Sequence, residues 1–97
     1  MQVKLIEGMF QSDVCNLKIT DEGFVFFKPD GSDFVVPFTQ ICNFNLEDRG
    51  GKKQRFVLQA FSREYEGFFF KEEDAIKTIR LLKDKCDCYV DVHLDMK

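Results

Sequence analysis

Two thiols and the only imidazole of the chain, Cys86, Cys88 and His93, stand close together near the C-terminal end and are the residues whose types would hold a metal. Zinc takes such donors, but a structural site wants four of them, with paired cysteines two or more residues apart. A single C-x-C and one histidine fall short, and Cys86 also continues an apolar helical stripe, so no metal is expected. His93 is equally the only candidate imidazole base, and nucleophilic catalysis needs a base beside an activated nucleophile. No G-x-S-x-G, H-E-x-x-H or glycine-rich phosphate loop accompanies it. The acid pairs Glu72–Glu73 and Glu64–Glu66 fit a helix start and a solvated strand face. The expectation is a protein that is not an enzyme and carries no cofactor.

Two binding chemistries remain. Arg49, Lys52, Lys53 and Arg55 form the one basic cluster outside the helix, on a polar hairpin loop, and would receive an anion such as a phospholipid head group. The chain as a whole carries a net charge of −3, so it has no global field to gather nucleic acid or an anionic membrane. The aromatic residues are the stronger lead. Twelve phenylalanines occur in 97 residues, with no tryptophan. In the runs FVFF and GFFF they are adjacent, so both faces of a strand carry rings. If Phe24 and Phe26 point inward, Phe27 points outward with Val25. If Phe68 and Phe70 are buried, Phe69 is outward. An exposed apolar patch on a soluble domain marks a partner surface. The last segment, where Val90, Val92 and Leu94 alternate with Asp91, His93 and Asp95, suits a strand added to an open sheet edge, in the same chain or in a second copy.

The elements that position these residues follow from periodicity. At this length one domain, 1–97, with one core is expected, and a dozen mostly buried rings make a core that needs no staple. Val3, Leu5 and Met9 outline a first strand. Cys15, Leu17 and Ile19 alternate with Asn16, Lys18 and Thr20. Asp21-Glu22-Gly23 reads as a tight turn whose glycine supplies a positive φ, and Pro29-Asp30-Gly31 as a hairpin loop. Pro37 marks a strand end or an edge. Cys42, Phe44 and Leu46 oppose Asn43, Asn45 and Glu47, and Phe56, Leu58 and Ala60 share a face. Glu72, Glu73 and Asp74 open a helix, and Ala75, Ile76, Ile79, Leu82 and Cys86 form its apolar stripe. Lys77, Arg80, Lys83 and Lys85 take the other side. No stretch reads as a signal peptide or a bilayer span, so the expectation is a cytoplasmic protein with four free thiols.

Seven short antiparallel strands followed by one amphipathic helix resemble the pleckstrin-homology-like superfold, closest to its bacterial PH and GRAM-like branches. The stretch Leu17 to Phe26, then Asp30-Gly31, then Val35-Val36-Pro37-Phe38-Thr39-Gln40-Ile41 carries the resemblance, its V-P-F-x-x-I being similar to the I-P-x-x-x-I corner of that group. Phe56-Val57-Leu58 and Ala75-Ile76 fall in the matching order. The resemblance implies a mainly β, seven-stranded, antiparallel, partly open barrel over about 3–70, a capping helix over about 72–86 and an extra strand over about 89–94. Phosphoinositide-binding members carry basic residues in the first inter-strand loop. Here Glu7 to Asp13 holds no lysine or arginine, so that mode of binding is not expected. The function expected is a non-catalytic interaction module for a protein partner, using Phe27, Phe69, Val90, Val92 and Leu94. A homodimer is one form of it, and an anionic lipid at the basic hairpin 49–55 is the alternative.

Overall fold

Strict alternation in Cys15, Leu17 and Ile19 makes a strand with one buried side, and the same rhythm repeats along most of the chain. The computed structural model describes residues 1–8, 11–48, 54–85 and 89–94, with Asp48 and the last six through their backbone. The elements are β1 (Gln2–Ile6), β2 (Ser12–Ile19), β3 (Gly23–Phe27), β4 (Phe34–Pro37), a 3-10 turn at Phe38–Gln40, β5 (Ile41–Asp48), β6 (Gln54–Ala60), β7 (Glu64–Phe69), α1 (Glu72–Lys85) and β8 (Tyr89–Leu94). Seven antiparallel strands form a nearly closed barrel. The strand order is β4-β3-β2-β1-β7-β6-β5-β8, so pairing of β1 with β7 (Val3 opposite Phe69, Ile6 opposite Glu66) joins two meanders, β1–β4 and β5–β7.

The extra strand lies on β5 and is parallel to it, Val90 opposite Phe44, Val92 opposite Leu46 and Leu94 opposite Asp48. It is the one parallel pair among the described strands. A parallel return needs a crossover, and α1, between β7 and β8, supplies it. The strand expected at an open edge is thus added within the same chain, and β5 is no longer an edge.

The interior is a ring cluster. Of the eleven phenylalanines among the described residues, five are fully buried: Phe24, Phe26, Phe44, Phe56 and Phe69. Phe24 meets Phe38 and Phe44 edge-on at 6.2 and 6.1 Å, and Phe56 lies 5.0 Å from Phe69 and 6.0 Å from Phe44. Contacts of this kind add about 0.5–1.5 kcal/mol each beyond the area they bury. The other described phenylalanines are half-buried or exposed, fewer than the composition implies, because several sit at strand ends and turns.

Three expectations are corrected. Gly23 has no positive φ; among the described residues only Gly31 does, at +83°. Gly23 is required instead because a side chain there would strike Pro37 Cα at 2.8 Å and the Val36 carbonyl. The turn before it is held by Thr20, whose hydroxyl accepts the Glu22 and Gly23 amides at 3.2 and 3.4 Å. In β5 a bulge falls between Ile41 and Asn43, so Ile41 and Phe44 are both buried and Cys42 is only half-buried. On α1 the buried residues are Ala75, Thr78 and Leu82, while Ile76 is exposed. Thr78 tolerates burial because its hydroxyl donates to the Asp74 carbonyl at 2.8 Å, and Met1 Sδ lies at 3.4 Å. Of the residues read as strand or helix, Met9 and Cys86 lie outside the described ones.

Candidate functional site

The outer face of β2, β3 and β4 carries the aromatic residue expected there. Phe27 is 38% exposed and Val25 beside it half-buried. Two neighbours join them that the sequence reading did not single out: Val14, 47% exposed, and Val35, 50% exposed. Register makes the four contiguous. Val25 is paired with Val35 on one side and Lys18 on the other, and Phe27 is paired with Asn16. Val14 lies two residues from Asn16, hence diagonal to Phe27 and within about 7–8 Å. The signal for Val14 was present, since it shares the outward parity of Asn16 and Lys18.

Lysines border this patch. Lys18 closes the row Val35–Val25–Lys18, and Lys4 is paired with Val14 across β1 and β2. Neither ammonium has an ionic or hydrogen-bonding partner among the described residues.

Phe69, expected outward, is 1% exposed and belongs to the core, so it is no surface residue. Its partner Val3 is fully buried, and the inner row of β7 reads Tyr65, Gly67, Phe69. Gly67 leaves room on that face for Phe56, whose ring carbons lie 2.7 and 2.8 Å from where a Cβ would stand. A glycine in the inner row makes the ring count misleading. Glu64 and Glu66, both on the even parity, mark the outward side, and Phe68 goes with them, half-buried.

The β4 edge is a poor template for strand addition. The Phe38 amide donates to the Glu22 carbonyl at 2.9 Å. By register this belongs to the same series as Phe24–Val36 and Phe26–Phe34, so these pairs face inward to β3. Val35 and Pro37 are left facing the free edge, and Pro37 has no amide hydrogen to offer. The side chains, not the backbone, are what this region presents. Val90, Val92 and Leu94 are placed by the backbone alone, on β5 as described above.

Of the basic cluster, Arg49, Lys52 and Lys53 lie outside the described residues. Arg55 is held between two carboxylates: its Nε donates to Glu66 Oε1 at 2.6 Å, and Glu47 Oε2 lies 3.7 Å from a terminal nitrogen. An anion at Arg55 would have to displace them. Cys88 likewise lies outside the described residues, and among those described no three histidine, cysteine or acidic side chains gather to hold a metal.

A second charged group sits where β1 and β2 meet. Lys28 pairs with Glu7 and lies 5.6 Å above the Phe34 ring, which stacks on Phe26 at 4.9 Å and on Tyr65 at 5.4 Å. The hydrogen bond from Lys28 holds the Glu7 carboxyl below its usual value, with a hydrogen bond to Asp13 acting in the same direction. Asp13 is raised, chiefly by its hydrogen bond to Glu7. Burial, then the charge of Asp13, pushes the Cys15 thiol up, which makes it a poor nucleophile. An open cleft of about 320 Å³ lies between the N-terminus and the start of α1. Its amino group is already used, donating to Asn16 Oδ1 and the Leu17 carbonyl at 3.1 and 3.0 Å.

No family model matches the chain, and no curated protein matches it. Among the described residues no helix is long and apolar enough to cross a membrane.

Proposed function

We propose that this is a pleckstrin-homology-like, non-catalytic interaction domain of the cytoplasm, akin to bacterial PH and GRAM-like domains, that binds a protein partner through the outer face of β2–β3–β4. The observation that carries the reading is the exposure of Val14, Phe27 and Val35 around half-buried Val25 on one sheet face. Scattered apolar residues on a surface need no explanation, whereas adjacent ones on three neighbouring strands do. The nearly closed antiparallel barrel with a helix after its seventh strand is compatible with the named superfold. The anionic-lipid reading loses ground because Arg55 is already paired with acids.

The test is a photo-reactive phenylalanine analogue at position 27, and separately at Gln59 on the exposed side of β6, in a lysate of the source cells. The expected result is a discrete protein adduct from position 27 alone, lost when Val35→Asp is added. Equal adducts from both positions, or an adduct from 27 indifferent to Val35→Asp, would overturn the reading.

A further inference from the structure

Covering the patch has an electrostatic consequence that narrows the partner. Any surface broad enough to bury Val35, Val25 and Phe27 also removes water from Lys18, which is next in the same row. A surface that reaches Val14 does the same to Lys4. An ammonium stripped of water is disfavoured unless a carboxylate meets it. Neither lysine has an acid of its own among the described residues to supply that charge. Against a chain of net charge −3, the two lysines give this face a local attraction for acids that the chain as a whole does not offer.

We infer that the partner presents a short protein segment combining apolar side chains with carboxylates, the apolar groups seated on Val14, Val25, Phe27 and Val35 and the acids on Lys18 and Lys4. The inference rests on the protein-binding reading above and adds the chemistry of what binds. Strand spacing sets the dimensions: Val35 and Lys18 are two strands apart, about 10 Å, as are an apolar and an acidic residue seven positions apart on a helix. An anionic bilayer fits the same charges less well, because Val14, Val25 and Val35 lie within strands rather than on a protruding tip, and Phe27 alone stands at a strand end.

Panning a random 12-residue phage-displayed peptide library against the full chain tests this. The expected result is enrichment of peptides carrying both apolar residues and Asp or Glu, whose binding shifts amide resonances of β2–β4 and weakens about tenfold for Lys18→Gln, a loss of about 1.4 kcal/mol. The affinity should also fall with added salt. Lys18 is exposed, so a folded Lys18→Gln variant is expected, checked by its circular dichroism. Enriched peptides that map to β2–β4 but lack acids, or ignore Lys18→Gln, would overturn the inference and leave the protein-binding reading standing. Peptides that map to another face, or no enrichment at all, would overturn both. Vesicles with anionic lipid serve as the second arm: binding lost with Lys18→Gln and Lys4→Gln, in the absence of peptide binding, would assign the face to a membrane instead.

Discussion

Replacing Gly67 by alanine puts the barrel closure to a quantitative test. A methyl group there would stand 2.7–2.8 Å from two carbons of the Phe56 ring, well inside the 3.4 Å at which ordinary contact begins, and against the Lys4 carbonyl of the neighbouring strand. Neither neighbour has room to yield. The Phe56 ring is packed between Phe44 at 6.0 Å and Phe69 at 5.0 Å, and Lys4 is part of the β1–β7 pairing. Overpacking of this kind costs about 1–3 kcal/mol. Alanine restricts the unfolded chain more than glycine and returns about 0.4–1 kcal/mol. The net expectation is roughly 1–2 kcal/mol of lost stability, a fall in Tm of about 5–15 °C for a domain of this size. Urea denaturation of both proteins measures it, with Gly8→Ala as the control, since nothing lies within 4 Å of that position and it has no positive φ. Trimming the obstacle in Gly67→Ala/Phe56→Leu should recover part of the loss, a coupling of about 0.5 kcal/mol or more. A Gly67→Ala protein within about 0.5 kcal/mol of the parent would refute the close β1–β7–β6 packing on which the inner row of β7 depends.

Two further measurements follow from the same structure. Phe69→Ala should cost about 3–5 kcal/mol in urea denaturation, whereas Phe27→Ser should cost less than about 1 kcal/mol; a Phe69→Ala cost as small as that expected for Phe27→Ser would restore the opposite parity for β7. Glu7, held below its usual value by Lys28, contributes stability that is present above its unfolded pKa and lost as pH falls through the folded one, while raised Asp13 acts in the opposite sense. Urea midpoints followed from neutral pH down through the carboxylate range should therefore fall less steeply for Lys28→Met than for the parent, and parallel curves would remove the Glu7–Lys28 pair from the account.

Much of the architecture is legible because period-two alternation needs no tertiary information. Cys15–Leu17 and Phe56–Leu58–Ala60 are buried as their spacing demands. The helix ends were readable from charge, with Glu72, Glu73 and Asp74 at one end and Lys83 and Lys85 at the other. Gly31 and Pro37 announce a turn and an edge because one tolerates positive φ and the other lacks an amide hydrogen. The candidate site was legible only in part. Phe27 and Val25 follow from alternation, whereas their union with Val14 and Val35 depends on which strands become neighbours.

Local sequence therefore determined where strands, turns and the helix lie, since each follows from side-chain spacing and backbone constraint over a few residues. Tertiary structure alone decided the rest. GFFF by itself is apolar on both sides; the acids Glu64 and Glu66 earlier in the strand hint at its parity, and pairing with Val3 places Phe69 inside. The bulge at Cys42 brings Ile41 and Phe44 to one face although their spacing is odd. Thr78 is buried in preference to Ile76 because the docking angle of α1, rather than hydropathy, selects the face that meets the barrel. Parallel addition of β8 to β5 likewise depends on where the crossover helix delivers the chain, a long-range outcome that no window of residues encodes.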